Sequence, residues 1–165
     1  MNSVKKKLII INGPMGVGKS TVSKGLHQSL PQSVWLDGDW CWMMNPWIFT
    51  EENKKMVEHN IMYLLRSYLD NSTFNYIIFS WVLHQEELTQ RLLDGIQDFE
   101  YELRRFTLTC THEALRERML RDNRTLEQFE ISSRRLRLYE EMKTLQIDTS
   151  TMSSDEVIKR MKEQL

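Results

Sequence analysis

The stretch Lys7-Leu8-Ile9-Ile10-Ile11-Asn12-Gly13-Pro14-Met15-Gly16-Val17-Gly18-Lys19-Ser20-Thr21 decides how the chain folds. Its first six residues form a short apolar, β-branched run. Such a run predicts a strand buried on both faces, the signature of a parallel sheet. From Lys19 to Leu30, Val22, Leu26 and Leu30 repeat at helical spacing. A strand therefore feeds a helix through a glycine-rich turn that satisfies G-x-x-x-x-G-K-[ST]. In such a turn successive N–H groups point into one concavity, a nest for phosphate oxygens. The following helix aims the positive end of its dipole at the same place. A chain of this composition matches the pattern by chance roughly 0.002 times. The expected phosphate contacts come from Gly13, Met15, Gly16, Val17, Gly18, Lys19, Ser20 and Thr21. Pro14 has no N–H to give. Lys19 is expected to bridge β- and γ-phosphates and Ser20 to take a Mg²⁺ position.

Outward from this turn the pattern repeats. Strands are expected at Ser33–Leu36, Asn75–Ser80, Arg105–Cys110 and Thr144–Asp148. Helices are expected at Glu51–Leu69, Glu86–Phe99, His112–Arg121, Ile131–Met142 and Ser154–Leu165, the last capped by Ser154 or Asp155. Alternation of this kind means βαβ units and a mainly parallel sheet, with ligands at the carboxyl ends of the strands. With 165 residues and no linker or repeat, a single domain spanning 1–165 is expected.

The second strand runs into Asp37-Gly38-Asp39. If the extended geometry continues through Gly38, both carboxylates point to one side and face the glycine turn. One carboxylate, here Asp37, would join the metal network through water. The other, Asp39, would orient an acceptor hydroxyl and take its proton. A plain Asp-Gly turn would use the same residues. Position 80, at the end of the third strand, holds serine rather than a second carboxylate.

Four of the five tryptophans lie between residues 35 and 47. Trp40, Trp42, Trp47 and Trp81 are expected to form a wall against a planar or apolar acceptor, within an acceptor segment of about residues 40–70. Core packing of a small lid is the competing reading. Seven arginines crowd residues 116–137 against four acids. Arg118 and Arg121 share a helix face and are expected to reach the transferring phosphoryl, with Arg135 near the nucleotide and 122–133 as a short lid. Asp148 and Thr149 are expected only to cap the last helix.

Near-equal charge, 22 Lys+Arg against 23 Asp+Glu, argues against nucleic acid as a partner. No stretch approaches the ~20 apolar residues of a membrane span. Two cysteines are too few for a disulfide framework, and Leu8–Ile11 is too short for the core of an export signal after the lysines of Met1–Lys7. Those features predict a cytoplasmic protein, a monomer or homodimer. The histidines and cysteines show no metal spacing.

Gly13-Pro14-Met15-Gly16 followed by Gly18-Lys19-Ser20-Thr21 resembles the phosphate loop (P-loop) of shikimate kinases. Asp37-Gly38-Asp39 is similar to a string in gluconate and adenylylsulfate kinases. Leu115–Asp122 resembles the approach to the lid of nucleotide-type kinases, and Arg135-Leu136-Arg137-Leu138-Tyr139 the helix that follows it in adenylate kinases. The resemblance implies a three-layer α/β fold, a five-stranded parallel sheet of order 2-3-1-4-5 flanked by helices, ATP and Mg²⁺. Trp40–Trp47 and Ser80-Trp81-Val82 depart from all three small-molecule families, which disfavours shikimate, gluconate and adenylylsulfate as acceptors. The expected activity is γ-phosphoryl transfer from ATP to a small hydroxyl- or phosphate-bearing molecule: a nucleoside, nucleotide or antibiotic-like compound. The alternative is a nucleotide-hydrolysing regulatory module without such an acceptor.

Overall fold

The computed structural model describes residues 5–165; residues 1–4, the start of the basic segment Met1–Lys7, lie outside them. Strands β1 (Lys6–Asn12), β2 (Ser33–Asp37), β3 (Tyr76–Trp81), β4 (Tyr101–Thr109) and β5 (Leu145–Asp148) form one sheet of order β2-β3-β1-β4-β5. Every pairing is parallel. The expected sheet and order are thus observed. Helices α1 (Lys19–Ser29), α2 (Glu51–Asp70), α3 (Glu86–Asp94), α4 (His112–Arg121), α5 (Leu126–Glu140) and α6 (Ser154–Lys162) make the outer layers.

Alternation along β1 explains its unbroken apolar run. Ile9 and Ile11 pack with Val22, Leu26, Leu136, Val157 and Met161 on one face. Leu8 and Ile10 pack with Val57, Ile61, Leu65, Phe79 and Leu92 on the other. A central strand with two covered faces has no polar side to show.

Several boundaries differ from expectation: α3 ends at Asp94 instead of Phe99, with Gly95 as its C-cap, and three others have identifiable reasons. β4 begins at Tyr101, four residues early, because Glu102 meets Lys7 and Arg104 at the amino-terminal edge of the sheet. α5 begins at Leu126 instead of Ile131, started by a capping box between Thr125 and Gln128. The segment expected as a lid, 122–133, is therefore helical from Leu126 on, and the connection between α4 and α5 is only 122–125. α6 is capped by Ser153, one residue before the expected cap, with Glu156 completing the box.

Candidate active site

The phosphate loop is held at both ends. Asn12 Oδ1 accepts from the N–H of Gly13 at 2.8 Å and of Leu83 at 2.7 Å, and its Nδ2 donates to the Leu83 carbonyl at 2.8 Å. The loop's start is thereby tied to the segment leaving β3. Over its middle lies α4. Gly16 has φ +86°, and a Cβ there would stand 2.6 Å from Met119 Cγ, so glycine is required on both counts. Ser132 on α5 donates to the Met15 carbonyl at 2.7 Å. That tie fixes α5 against the loop instead of leaving it free to swing.

Lys19 lies folded back into this loop, its Nζ donating to the carbonyls of Gly13 and Pro14 at 2.8 Å each. Loss of hydration lowers its pKa to about 8, against the opposing pull of Asp39 and Asp37. Ser20, in the first turn of α1, donates from Oγ to Asp37 Oδ2 at 2.9 Å. Asp37, buried at the end of β2, accepts from the Asp39 N–H through its other oxygen at 3.0 Å.

That second bond caps a short 3-10 helix, Gly38–Trp42. The chain therefore turns at Gly38 and does not stay extended as expected. Both carboxylates nevertheless line one cavity with Met15–Val22, Val82, Arg118, Arg121, Arg124 and Thr149. Its volume is about 650 Å³, in the range of small-ligand sites. Partial desolvation and then the charge of Asp37 raise the pKa of Asp39; Lys19, the nearby Trp81 indole and Arg124 oppose the rise.

The arginines divide. Arg118 spends its fork on the Val17 carbonyl at 3.2 Å and on Thr149 Oγ1 at 2.8 Å and the Thr149 carbonyl. Thr149 is buried and bonded to the Thr109 carbonyl, so it anchors Arg118 rather than capping α6 as expected. Arg121 and Arg124 line the cavity with no side-chain hydrogen bond among those described. Arg135 does not line it; its charge acts on His84 and Tyr139 instead.

The tryptophans divide too. Trp81 is buried beneath Gly38, while Trp40 and Trp47 are exposed and Trp42 is half-buried against the core. None of Trp40, Trp42, Trp47 and Trp81 lines the 650 Å³ cavity. Ser80 is buried and accepts a hydrogen bond from the Trp35 indole at 3.0 Å, which takes it out of the site.

A family profile described as an AAA domain matches residues 9–144. The chain belongs to that family. No curated protein matches the sequence. Among solved structures, the tunicamycin resistance protein of Deinococcus radiodurans is 22% identical over 97% of this chain and 95% of its own, with a TM-score of 0.70. A gluconokinase from Sinorhizobium meliloti 1021 is 15% identical over 96% and 90%, with a TM-score of 0.65. The shikimate kinase of Aquifex aeolicus vf5 is 18% identical over 95% and 94%, with a TM-score of 0.61. These likenesses place the AAA domain described here in the P-loop kinase fold, the one its loop resembles.

The sequence does not single out Asn12 or Ser132, and it marks Thr149 only as a helix cap. Arg124 stood undistinguished among seven arginines. Asn12 and Ser132 act through loop carbonyls and amides, for which a sequence carries no signal.

Proposed function

We propose that the protein is an ATP-dependent phosphotransferase acting on a small hydroxyl- or phosphate-bearing acceptor. The observation that carries this reading is the convergence of Lys19, the Ser20–Asp37 pair and Asp39 on one cavity at the carboxyl ends of the strands. The kinase names borne by structural relatives agree with it.

Each group has a task. The amides from Met15 to Thr21 and the dipole of α1 receive phosphate oxygens. Lys19 leaves the Gly13 and Pro14 carbonyls for the β- and γ-phosphates. Ser20 and Asp37 offer one hydroxyl and one carboxylate, hard oxygen donors few enough to suit Mg²⁺, which keeps much of its water. Magnesium bound there would neutralise charge on the phosphates. Asp37 supplies on β2 the carboxylate that Ser80 does not supply on β3. Arg121 and Arg124 have guanidinium groups available for the transferring phosphoryl. Arg118, locked between the loop and Thr149, gives the nucleotide a rigid wall. Asp39 orients the acceptor and takes its proton; a carboxyl pKa raised above the ordinary value makes it a better base.

Incubation with γ-labelled ATP, Mg²⁺ and a pool of nucleosides, nucleotides, sugars and antibiotics tests the reading. Label is expected in an organic product, and Lys19→Ala should abolish it. Label found only as inorganic phosphate would favour the hydrolytic module instead.

A further inference from the structure

Arg118, Arg121 and Arg124 follow one another at intervals of three, and all three line the phosphate cavity. Arg118 is fixed at one end, on Thr149 just after β5. Arg124 stands toward the other, where its charge acts on Asp39 just after β2. β5 and β2 are the two edges of the sheet, and the phosphate loop leaves the central β1 between them. The three guanidinium groups thus run from the nucleotide side of the cavity to the acceptor side.

Arg124 needs no moving lid to reach its place. The N–H of Asn123 donates to the Leu120 carbonyl at 3.1 Å and that of Arg124 to the Met119 carbonyl at 2.9 Å. Asn123 has φ +54°. These are the two bonds and the left-handed residue of a Schellman motif, which ends α4 with Arg124 just past the cap. The next residue, Thr125, caps α5. Both flanks of Arg124 are therefore fixed backbone. Among the described residues its guanidinium has no side-chain hydrogen bond or ion pair. Asp122 shares the cavity wall but is exposed and pairs with neither Arg121 nor Arg124.

The donor leaves this group over. Loop amides, Lys19 and a magnesium ion at Ser20 and Asp37 serve the triphosphate, and Arg121 suffices for the phosphoryl in transit. Arg124 stands past them, beside the carboxylate that receives the acceptor's proton. A planar fork held there on fixed backbone, with nothing to pair, matches a second oxyanion.

We infer that the acceptor is itself an anion, bearing a phosphate or carboxylate group that Arg124 holds while the reacting hydroxyl lies at Asp39. This rests on the phosphotransferase reading and names the charge class of its acceptor. Arg124 is then a specificity-determining residue, and Arg121 keeps the transferring phosphoryl.

The full chain, saturated with Mg²⁺ and the β,γ-imido analogue of ATP, is titrated calorimetrically with matched compounds. These are uridine with uridine 5′-monophosphate, glucose with gluconate and glucose 6-phosphate, and orthophosphate and acetate as bare anions. At least one charged compound should bind about tenfold or more tightly than its neutral counterpart. Whether phosphates or carboxylates bind identifies the group. Arg124→Gln should erase that advantage, Arg124→Lys should keep part of it, and Arg121→Gln should leave it in place. Affinity for the ATP analogue should change by less than about twofold in both Arg124 variants. Binding by no anion, orthophosphate included, a neutral compound that binds as tightly as its charged counterpart, or an advantage that survives Arg124→Gln would each overturn the inference. Lost affinity for the ATP analogue in Arg124→Gln would do so too, by assigning the arginine to the donor. Labelled transfer to a neutral acceptor at a rate indifferent to Arg124→Gln would overturn the inference and leave the phosphotransferase reading intact. An advantage for anions that depends on Arg124, with label from γ-labelled ATP emerging only as phosphate, would support the anion site and overturn the transfer.

Discussion

Ser20 Oγ donates to Asp37 Oδ2 across 2.9 Å, joining the first turn of α1 to the end of β2. The same carboxylate caps the next turn by accepting from the Asp39 N–H. One buried side chain therefore fixes both the hydroxyl of the phosphate loop and the start of the acceptor segment. Asp37→Asn keeps oxygen at the cap and removes the charge. It should raise the Mg²⁺ concentration needed for half-maximal turnover by about tenfold or more. Stability in urea should change by less than about 1 kcal/mol, whereas Asp37→Ala, which loses the cap, should cost about that much. An unchanged Mg²⁺ dependence in the asparagine variant would remove Asp37 from the metal site.

Lys19 predicts a pH dependence in the ligand-free protein. Its ammonium is needed for the phosphates, and its pKa is lowered to about 8. Nucleotide affinity should decline as pH rises above 8, with protons taken up on binding, a calorimetric quantity that depends on buffer ionisation. The sign for stability is opposite. The folded pKa lies below the unfolded value of 10.5, so the unfolded chain binds more protons between them. The unfavourable contribution of Lys19 is full below pH 8 and disappears as pH rises toward 10.5. Lys19→Ala should flatten both trends and abolish transfer while the protein stays folded.

The fold was legible because β1 and its glycine turn carry redundant signals: an apolar run, a spaced motif and a following helical stripe. The strand order followed from the resemblance. Boundaries failed where polar residues did structural work. Thr125 and Gln128 write a capping box that marks the true start of α5, yet the apolar period only becomes regular later. Glu102 looks like a solvent residue until the sheet brings Lys7 opposite it and Arg104 closes on it. In the site, motif residues could be named because they are adjacent in the chain. Thr149 and Arg118 are 31 residues apart and meet only through the pairing of β4 with β5.

Asp39 has a second measurable consequence. Desolvation and the charge of Asp37 raise its pKa, so the acid limb of the turnover profile should lie above the ordinary aspartate value. Turnover should fall as pH drops through that limb, because the protonated acid cannot accept a proton. Asp37→Asn should shift the limb toward lower pH by removing a neighbouring charge. Asp39→Asn should abolish the limb and lower turnover by more than about tenfold, with ATP binding kept. A limb that persists in Asp39→Asn belongs to another group.

Gly38 and Trp81 make a steric prediction. A Cβ on Gly38 would stand 2.6 Å from Cδ1 and Cδ2 of the Trp81 indole. That ring is buried and has little room to retreat. Gly38→Ala should therefore destabilise by about 1–3 kcal/mol, as overpacked cores do. It should also lower turnover by moving Asp39. Trp81→Phe in the Gly38→Ala background should recover part of the stability, since the smaller ring leaves room. Unchanged stability in Gly38→Ala would show that the indole can yield to the added methyl.

Arg118 tests whether a guanidinium can serve a nucleotide site through architecture alone. Its fork closes on Val17 and Thr149, linking the phosphate loop to the segment between β5 and α6. A lysine retains charge but cannot span three acceptors in one plane. Arg118→Lys should thus raise the KM for ATP with a smaller effect on kcat, and Arg118→Ala should do the same more strongly. Both should lower stability by about 1–3 kcal/mol, the cost of leaving buried acceptors unpaired. Thr149→Val removes one of those acceptors while leaving the arginine in place, and it should reproduce a milder form of the KM effect. A fall in kcat at constant KM for ATP in Arg118→Lys would instead assign Arg118 to the transferring phosphoryl group, the role first expected of it alongside Arg121.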